Sequence, residues 1–202
     1  MISLEGLIRE LFFRANAWRR ILIVGALCYV LLGFGYLRAL AKTSSESAQP
    51  GLPPVRFDKK LWKLTFSALP LGAFYFLVPL VFAYGADNLL LLASGNDTGL
   101  RAVLALSLSP IVWSAAWICS LSLTAVALAT VPDDGERFFL GLEFEEVLAQ
   151  WWKLKRAWAF PALGCFGLVA ALGQPFYGFT FFISSALLVT YLSLTVRNLR
   201  YA

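Results

Sequence analysis

The chain of 202 residues is 59% hydrophobic and 14% charged, and it carries a formal net charge of +5. Soluble domains average about 45–50% apolar and about 25% charged residues, so this composition excludes an ordinary soluble domain. Histidine is absent, which excludes His-ligated zinc or haem and His-based acid–base catalysis. The basic residues flank apolar runs, a pattern typical of membrane spans rather than of a nucleic-acid surface.

Residues 1–18 predict a first amphipathic helix. Its apolar residues recur at spacings of three and four, with charged residues largely on the other side: Ile2, Leu4, Leu7, Ile8, Leu11 and Phe12. Such a stripe, followed by Trp18, Arg19 and Arg20, is typical of a helix that lies in the membrane interface. We therefore expect an interfacial helix here.

Residues 21–41 are apolar but are interrupted by Gly33, Gly35 and Arg38. They predict either a transmembrane helix or a re-entrant segment. Residues 43–63, rich in Ser and Pro and then in Lys, predict a basic loop.

Residues 64–87 and 102–131 predict two transmembrane helices, kinked at Pro70 and Pro79 and at Pro110. The stretch between Asp87 and Arg101 predicts a short loop. The sequence thus places no ionisable residue at the centre of any span, which argues against a proton-coupled carrier.

Residues 138–158 predict a second interfacial amphipathic helix, and residues 159–173 and 175–196 a transmembrane hairpin turning near Gln174. The segment 4–18 aligns without gaps with 144–158, and both run from an acidic amphipathic start to Ala-Trp. An internal repeat and a chance likeness both explain this similarity.

The distribution of basic residues bears on the alternatives for residues 21–41. If this segment re-enters, every Lys and Arg except Arg101 falls on one side of the membrane. The positive-inside rule favours that arrangement. Against it, re-entrant backbone must be buried in protein.

These observations predict an all-α fold, a polytopic α-helical membrane protein forming a single membrane domain over residues 1–202. It has four to five transmembrane helices plus two interfacial amphipathic helices. The three cysteines lie in apolar runs without a CxxC pair, so we expect buried thiols: Cys28, Cys119 and Cys165.

Several short motifs together resemble a known family. They are Gly35-Tyr36-Leu37-Arg38, a Ser- and Pro-rich stretch, Gly51-Leu52-Pro53-Pro54, Phe57-Asp58 and Trp62, with Leu4-Glu5 before Trp18 and Pro175-Phe176 near the end. The chain resembles the uncharacterised membrane proteins of the domain-of-unknown-function 4013 family over most of its length. The resemblance implies a membrane architecture and brings no established activity.

No motif names a reaction, and we predict no catalytic residue and no metal site. The glycines at 33 and 35 lack the pattern of a phosphate loop and predict a packing or turn element. The acidic residues could hold a divalent cation, but a solvated loop entering a helix is the favoured interpretation: Asp133, Asp134, Glu136, Glu143, Glu145 and Glu146.

Aromatic side chains are abundant within the predicted spans. Pigments, quinones or lipid tails could contact them, and lipid-facing packing is the favoured interpretation: Phe74, Tyr75, Phe76, Phe82, Phe176, Tyr177, Phe179, Phe181 and Phe182. Four tryptophans fit interfacial belts: Trp62, Trp151, Trp152 and Trp158.

The sequence therefore predicts a non-catalytic membrane protein, an accessory or scaffold subunit of a larger membrane complex. The alternative is a small transporter or permease-like module. The expected partners are the lipid bilayer and other membrane protein subunits, without nucleic acid, and no cofactor is expected beyond a bound lipid, pigment or quinone. The expected location is the inner membrane of a prokaryote, or a membrane derived from it, with the basic loops cytoplasmic.

Overall fold

The computed structural model describes residues 3–28, 33–46, 51–55, 59–94, 99–130, 140–172 and 177–200. These residues form eight α-helices and no strand, which confirms the all-α prediction. The helices are α1 (Leu4–Phe12), α2 (Ala17–Cys28), α3 (Gly33–Glu46), α4 (Lys59–Ser94), α5 (Leu100–Thr130), α6 (Leu140–Lys153), α7 (Lys155–Leu172) and α8 (Tyr177–Arg200).

Three helices are long and apolar enough to cross a membrane among the residues that the structure describes. They contain Leu61–Ala93 of α4, Ala102–Thr130 of α5 and Gly178–Leu199 of α8. The predictions of transmembrane helices and of a lipid bilayer environment are thereby supported. α7 begins with two basic residues, and its uncharged part of about 24 Å is shorter than the about 30 Å of a hydrocarbon core. The count of four to five spans stays a prediction.

α4 and α5 form an antiparallel pair. The Ser120 hydroxyl donates to the Phe76 carbonyl at 2.8 Å, and closer to the connection Trp113 reaches Asp87. α4 runs on to Ser94, so the predicted loop from residue 87 to residue 101 was wrong in its first half. Asp87 does not end the helix because its carboxylate has a hydrogen-bond donor, Trp113, on the neighbouring helix.

The predicted basic loop at residues 43–63 was also wrong at both ends. Residues 43–46 belong to α3 and residues 59–63 to α4. Thr43 and Ser45 are accommodated in α3 with their hydroxyls bonded inside the helix, Thr43 to the Ala39 carbonyl at 2.9 Å and Ser45 to the Lys42 carbonyl at 2.8 Å.

Residues 21–41 form parts of two helices, since α2 ends at Cys28 and α3 begins at Gly33, and residues 29–32 lie outside the described residues. With 12 and 14 residues, each helix is about 18–21 Å long, shorter than a bilayer core. Arg20, near the start of α2, donates to the Leu52 carbonyl. Because Leu52 follows α3 in the chain, this bond brings the segment after α3 to the start of α2. Arg38 of α3 in turn donates to the Leu128 carbonyl, near the C-terminus of α5, at 2.5 Å. This arrangement favours the re-entrant alternative.

Arg38 is buried, with 8% of its surface exposed. The carbonyl that it binds lies two residues before the end of α5 at Thr130. The last carbonyls of a helix have no partner inside the helix and carry the negative end of its dipole. The guanidinium therefore caps α5, which explains a charge inside an apolar segment.

α1 begins at the Ser3 cap, whose hydroxyl accepts the Gly6 N–H at 3.1 Å. Its apolar stripe faces the protein, since Leu7 and Leu11 are fully buried and α1 packs against α8. That packing sets the stripe against protein rather than lipid, and the location of α1 in the membrane interface stays a prediction.

α6 contacts the α4–α5 pair. Phe144 stacks on Tyr75 of α4 with ring centroids 6.2 Å apart, and Trp151 donates to Ser122 of α5 at 2.9 Å. Tyr75 and Ser122 lie at nearly the same level of the pair, whereas Phe144 and Trp151 are about 10 Å apart along α6. α6 therefore contacts both long helices, α4 near its own start and α5 near its own end, and its interfacial location stays a prediction.

α7 and α8 pack together, and the Ser184 hydroxyl donates to the Cys165 carbonyl at 3.4 Å. The predicted turn at Gln174 lies outside the described residues. α8 contacts α2, α3, α5 and α7, which makes it the central helix. The segments 4–18 and 144–158 both form an amphipathic helix, a break and an apolar helix, and the internal repeat stays a prediction.

Candidate functional site

The part of the α4–α5 pair farthest from Lys59 is its most exposed apolar surface. We call residues 77–94 and 100–116 the distal hairpin. Small side chains lie between its helices, since Ala83 and Ala105 are 3% and 7% exposed, which allows close packing. The large apolar side chains on its outer surface are exposed: Leu77, Val81, Phe82, Tyr84, Leu89, Leu91, Leu92, Val103, Leu104, Leu106, Leu108 and Ile111.

Asp87 lies within this apolar hairpin. It falls inside the candidate span Leu61–Ala93, about 9 Å from the distal end of that span. The Trp113 indole N–H donates to its carboxylate, with 3.2 Å between Nε1 and Oδ2. The boundary predicted at Asp87 is therefore corrected, because α4 continues beyond the carboxylate to Ser94.

The surroundings of Asp87 leave its carboxylate capacity for further partners. Among the described residues, Trp113 supplies the one hydrogen bond to this carboxylate, which can accept about four. The neighbouring amide of Asn88 is bound to the Tyr84 carbonyl at 2.8 Å. Asp87 itself is half-buried, so its carboxylate is not closed off by its own chain. The carboxylate can therefore bind a cation or a hydrogen-bond donor that approaches along the hairpin.

The segment from Gly33 to Tyr36 serves packing between helices. A carbon added to Gly35 would lie 2.0 Å from the Thr65 hydroxyl oxygen of α4, and one added to Gly72 would lie 2.5 Å from the Phe34 ring. The glycines thus allow α3 and α4 to approach closely, which agrees with the predicted packing role.

Most aromatic residues of the predicted spans pack on one another inside the protein. Phe76 contacts Phe181 at 5.2 Å and Trp117 at 5.4 Å between ring centroids, and Tyr36 contacts Phe182 at 5.7 Å. The lipid-facing interpretation was wrong for Tyr75, Phe181 and Phe182, which are buried, and it agrees with the structure for Phe82, which is 75% exposed. Edge-to-face contacts with neighbouring helices explain the burial of Phe181 and Phe182, and stacking on Phe144 explains that of Tyr75. Phe176 and the side chain of Tyr177 lie outside the described residues.

The tryptophans predicted to form interfacial belts fall into two groups. Trp62 and Trp152 are 44% and 62% exposed, as that prediction expects. Trp151 and Trp158 instead stack with centroids 4.5 Å apart, and Trp158 donates to the Trp151 carbonyl at 2.7 Å. This pair joins α6 to α7, which corrects their assignment to a belt.

The acidic residues considered as cation ligands are not assembled by the described part of the chain. Residues 131–139 lie outside it, including Asp133, Asp134 and Glu136, and so does the side chain of Glu143. Glu145 and Glu146 are exposed on α6. Cys28, Cys119 and Cys165 are free thiols, half-buried or buried.

Sequence reasoning placed Asp87 at a boundary and so missed its position inside a helix. The signal was the apolar run that follows it, from Leu89 to Leu92, which a loop would leave in water. Comparison of the chain with protein-family models, with curated proteins and with solved structures gives no match in any of the three.

Proposed function

We propose that this chain is a non-catalytic integral membrane protein that serves as an accessory or scaffold subunit of a larger membrane complex. The distal hairpin is the surface that packs against the partner subunit. The partner presents a transmembrane helix with a basic or hydroxyl-bearing side chain opposite Asp87.

The carboxylate of Asp87 in an apolar hairpin is the observation that supports this proposal. A charged group among lipid tails is costly, and such groups generally face protein or water and pair with other polar groups. One indole N–H leaves much of this cost uncompensated. A cationic side chain of a partner helix would donate to the remaining acceptor positions of the Asp87 carboxylate and balance its charge.

The length of the apolar surface supports a protein partner over lipid alone. The candidate span of α4 has 33 residues and is about 50 Å long, against a hydrocarbon core of about 30 Å. Fitting it by tilt alone would need more than about 50°, beyond the usual range of about 0–40°. Kinks of about 25° at Pro70 and Pro79 shorten the helix by less than about a tenth. A partner would cover the apolar side chains that the bilayer cannot.

The same proposal includes location and relatedness. The basic residues near α1, α2 and the start of α4 would face the cytoplasm, which places the chain in the inner membrane of a prokaryote or a membrane derived from it. Membership of the domain-of-unknown-function 4013 family is proposed on the motifs quoted above. No cofactor is assigned beyond a bound lipid, pigment or quinone.

Purification of the native complex tests the subunit role. The chain is extracted in mild detergent from its own membrane, and native mass spectrometry weighs the assembly that contains it. We expect a discrete assembly with a stoichiometric membrane partner, which the Asp87→Asn variant loses because the amide carries no charge. The matched control is the double variant Asp87→Asn, Asn88→Asp, which moves the carboxylate by one residue. It should not restore the assembly.

The alternative of a small transporter is favoured by the same carboxylate, because intramembrane acids also carry protons. Proteoliposomes containing the chain and a trapped pH-sensitive dye test this alternative under an imposed membrane potential. A proton flux that Asp87→Asn abolishes would support transport. Absence of flux, together with a stoichiometric partner, would support the subunit role.

A further inference from the structure

A cavity of about 420 Å³ lies at the elbow between α1 and α2. Its polar lining comes from Arg14 and Arg20, and its remaining wall comes from Gly51, Leu52 and small or apolar residues of the two helices. We propose that this cavity binds a phosphate group at the membrane surface, with the headgroup of an anionic phospholipid as its source. The site is separate from the distal hairpin and from the proposed subunit role.

The elbow brings the two arginines to one cavity. α1 ends at Phe12 and α2 begins at Ala17, and between them Asn16 has a φ of 64°. Asparagine is among the few residues other than glycine that adopt this left-handed conformation at low cost. The change of chain direction at this residue lets Arg14 and Arg20 line the same space.

Arg20 is held in place by the segment of residues 51–55. Its Nη1 donates to the Leu52 carbonyl, and Tyr36 fixes the next residue by donating to the Pro53 carbonyl at 2.6 Å. A guanidinium has five N–H donors in a fixed fork, so this bond leaves others for a ligand. The bond to Leu52 therefore holds Arg20 in position in the absence of a ligand.

Arg14 is available to the cavity because its present partner is weak. It forms an ion pair with Glu10, four residues earlier, and the two side chains are 46% and 42% exposed. Exposed pairs of this kind contribute little to stability. Arg14 also approaches the loop, since a carbon on Gly51 would lie 3.4 Å from its Nη1. Two guanidiniums that meet in one cavity match the bidentate geometry by which arginine binds phosphate.

The surface of the elbow and of the first turns of α2 supports a lipid as the source of the phosphate. Phe13, Trp18 and Leu22 are 71%, 59% and 60% exposed. Aromatic and apolar side chains exposed beside arginines are typical of the headgroup level of a membrane. Acyl chains could follow these side chains while the phosphate occupies the cavity, whereas free phosphate would use the two arginines alone.

Lipid binding to the purified, detergent-solubilised chain tests the proposal. The chain is titrated with phosphatidylglycerol or with phosphatidylcholine, and native mass spectrometry measures the bound lipid. We expect one phosphatidylglycerol, held at least about tenfold more tightly than phosphatidylcholine, because charge-assisted hydrogen bonds are the strong ones. The double variant Arg14→Gln, Arg20→Gln should lose this preference, and Arg9→Gln, an exposed arginine of α1 outside the cavity, should keep it.

A second variant separates the cavity from overall charge and from misfolding. Gly51→Leu fills the space beside Arg14 and keeps both arginines, and the backbone at Gly51 is not left-handed, so the chain can fold. Loss of the preference in this variant supports the cavity. An unchanged preference in both variants, or an equal loss in Arg9→Gln, overturns the proposal. Displacement of phosphatidylglycerol by inorganic phosphate would overturn the lipid source and assign free phosphate to the arginines.

Discussion

Trp113 of α5 donates its indole N–H to the carboxylate of Asp87 of α4, with 3.2 Å between nitrogen and oxygen. The two residues are 26 positions apart in sequence, and they meet because the helices are antiparallel. This hydrogen bond joins the two helices of an apolar hairpin at the one carboxylate that the described residues place inside a candidate span. The bond contributes to the packing of the hairpin, and the proposed docking role uses the remaining acceptor positions of the same carboxylate.

Trp113→Phe should destabilise the chain by about 1–2 kcal/mol, because it removes a hydrogen bond to a charged group and keeps an aromatic ring. Unfolding by SDS in mixed micelles, followed by far-UV circular dichroism, measures the change. Trp62→Phe is the control, since Trp62 is 44% exposed and should change stability by less than about 0.5 kcal/mol. Equal effects of the two substitutions would show that the Asp87 bond contributes nothing.

The all-α class and the positions of most helices follow from the apolar runs and their flanking polar residues. They do not depend on tertiary contacts. The extension of α4 past Asp87 had a weaker signal, the short apolar run from Leu89 to Leu92. A carboxylate next to Asn88 usually marks the end of an apolar helix, and only the position of Trp113 in the folded chain explains why it does not. The burial of Arg38 was beyond prediction from the sequence, because its acceptor is a carbonyl at the end of a helix distant in the chain.

What covers the apolar faces of the amphipathic helices was equally beyond sequence reasoning. A stripe such as Leu7 and Leu11 is the same whether it meets lipid or α8. The cavity at Arg14 and Arg20 was also missed, because it depends on the elbow at Asn16 and on a contact with Leu52 far along the chain. Periodicity gives the face of a helix but not the surface that covers it.

Gly35→Ala should destabilise the chain by about 1–3 kcal/mol, the usual cost of overpacking. The added carbon would lie 2.0 Å from the Thr65 hydroxyl oxygen and 2.6 Å from its α-carbon, so α3 and α4 must separate. Gly164→Ala on α7 is the matched control, because its added carbon meets nothing within 4 Å. It should stabilise the helix slightly, by about 0.5–1 kcal/mol. The same SDS unfolding measurement compares them, and destabilisation by both substitutions would contradict the close approach of α3 to α4.

Membrane topology gives a further prediction, since the re-entrant arrangement returns α3 to the side from which α2 begins. The three native cysteines, Cys28 among them, are first replaced by alanine. Single cysteines are then introduced at Ser3, Ser45 or Gly99. A membrane-impermeant maleimide should label residues 3 and 45 from one side and residue 99 from the other. Labelling of residues 3 and 45 from opposite sides would show that residues 21–41 cross the membrane.

Photo-crosslinking in the native membrane tests the docking role of the distal hairpin most directly. A photoreactive amino acid replaces Leu92 in the hairpin or Phe160 on α7, two side chains that are each 77% exposed. We expect position 92 to give a single adduct with a membrane protein, an adduct that Asp87→Asn weakens, and position 160 to give lipid adducts. Lipid adducts alone at both positions, or a protein adduct at position 92 that Asp87→Asn leaves unchanged, would contradict a partner docked at the distal hairpin through Asp87.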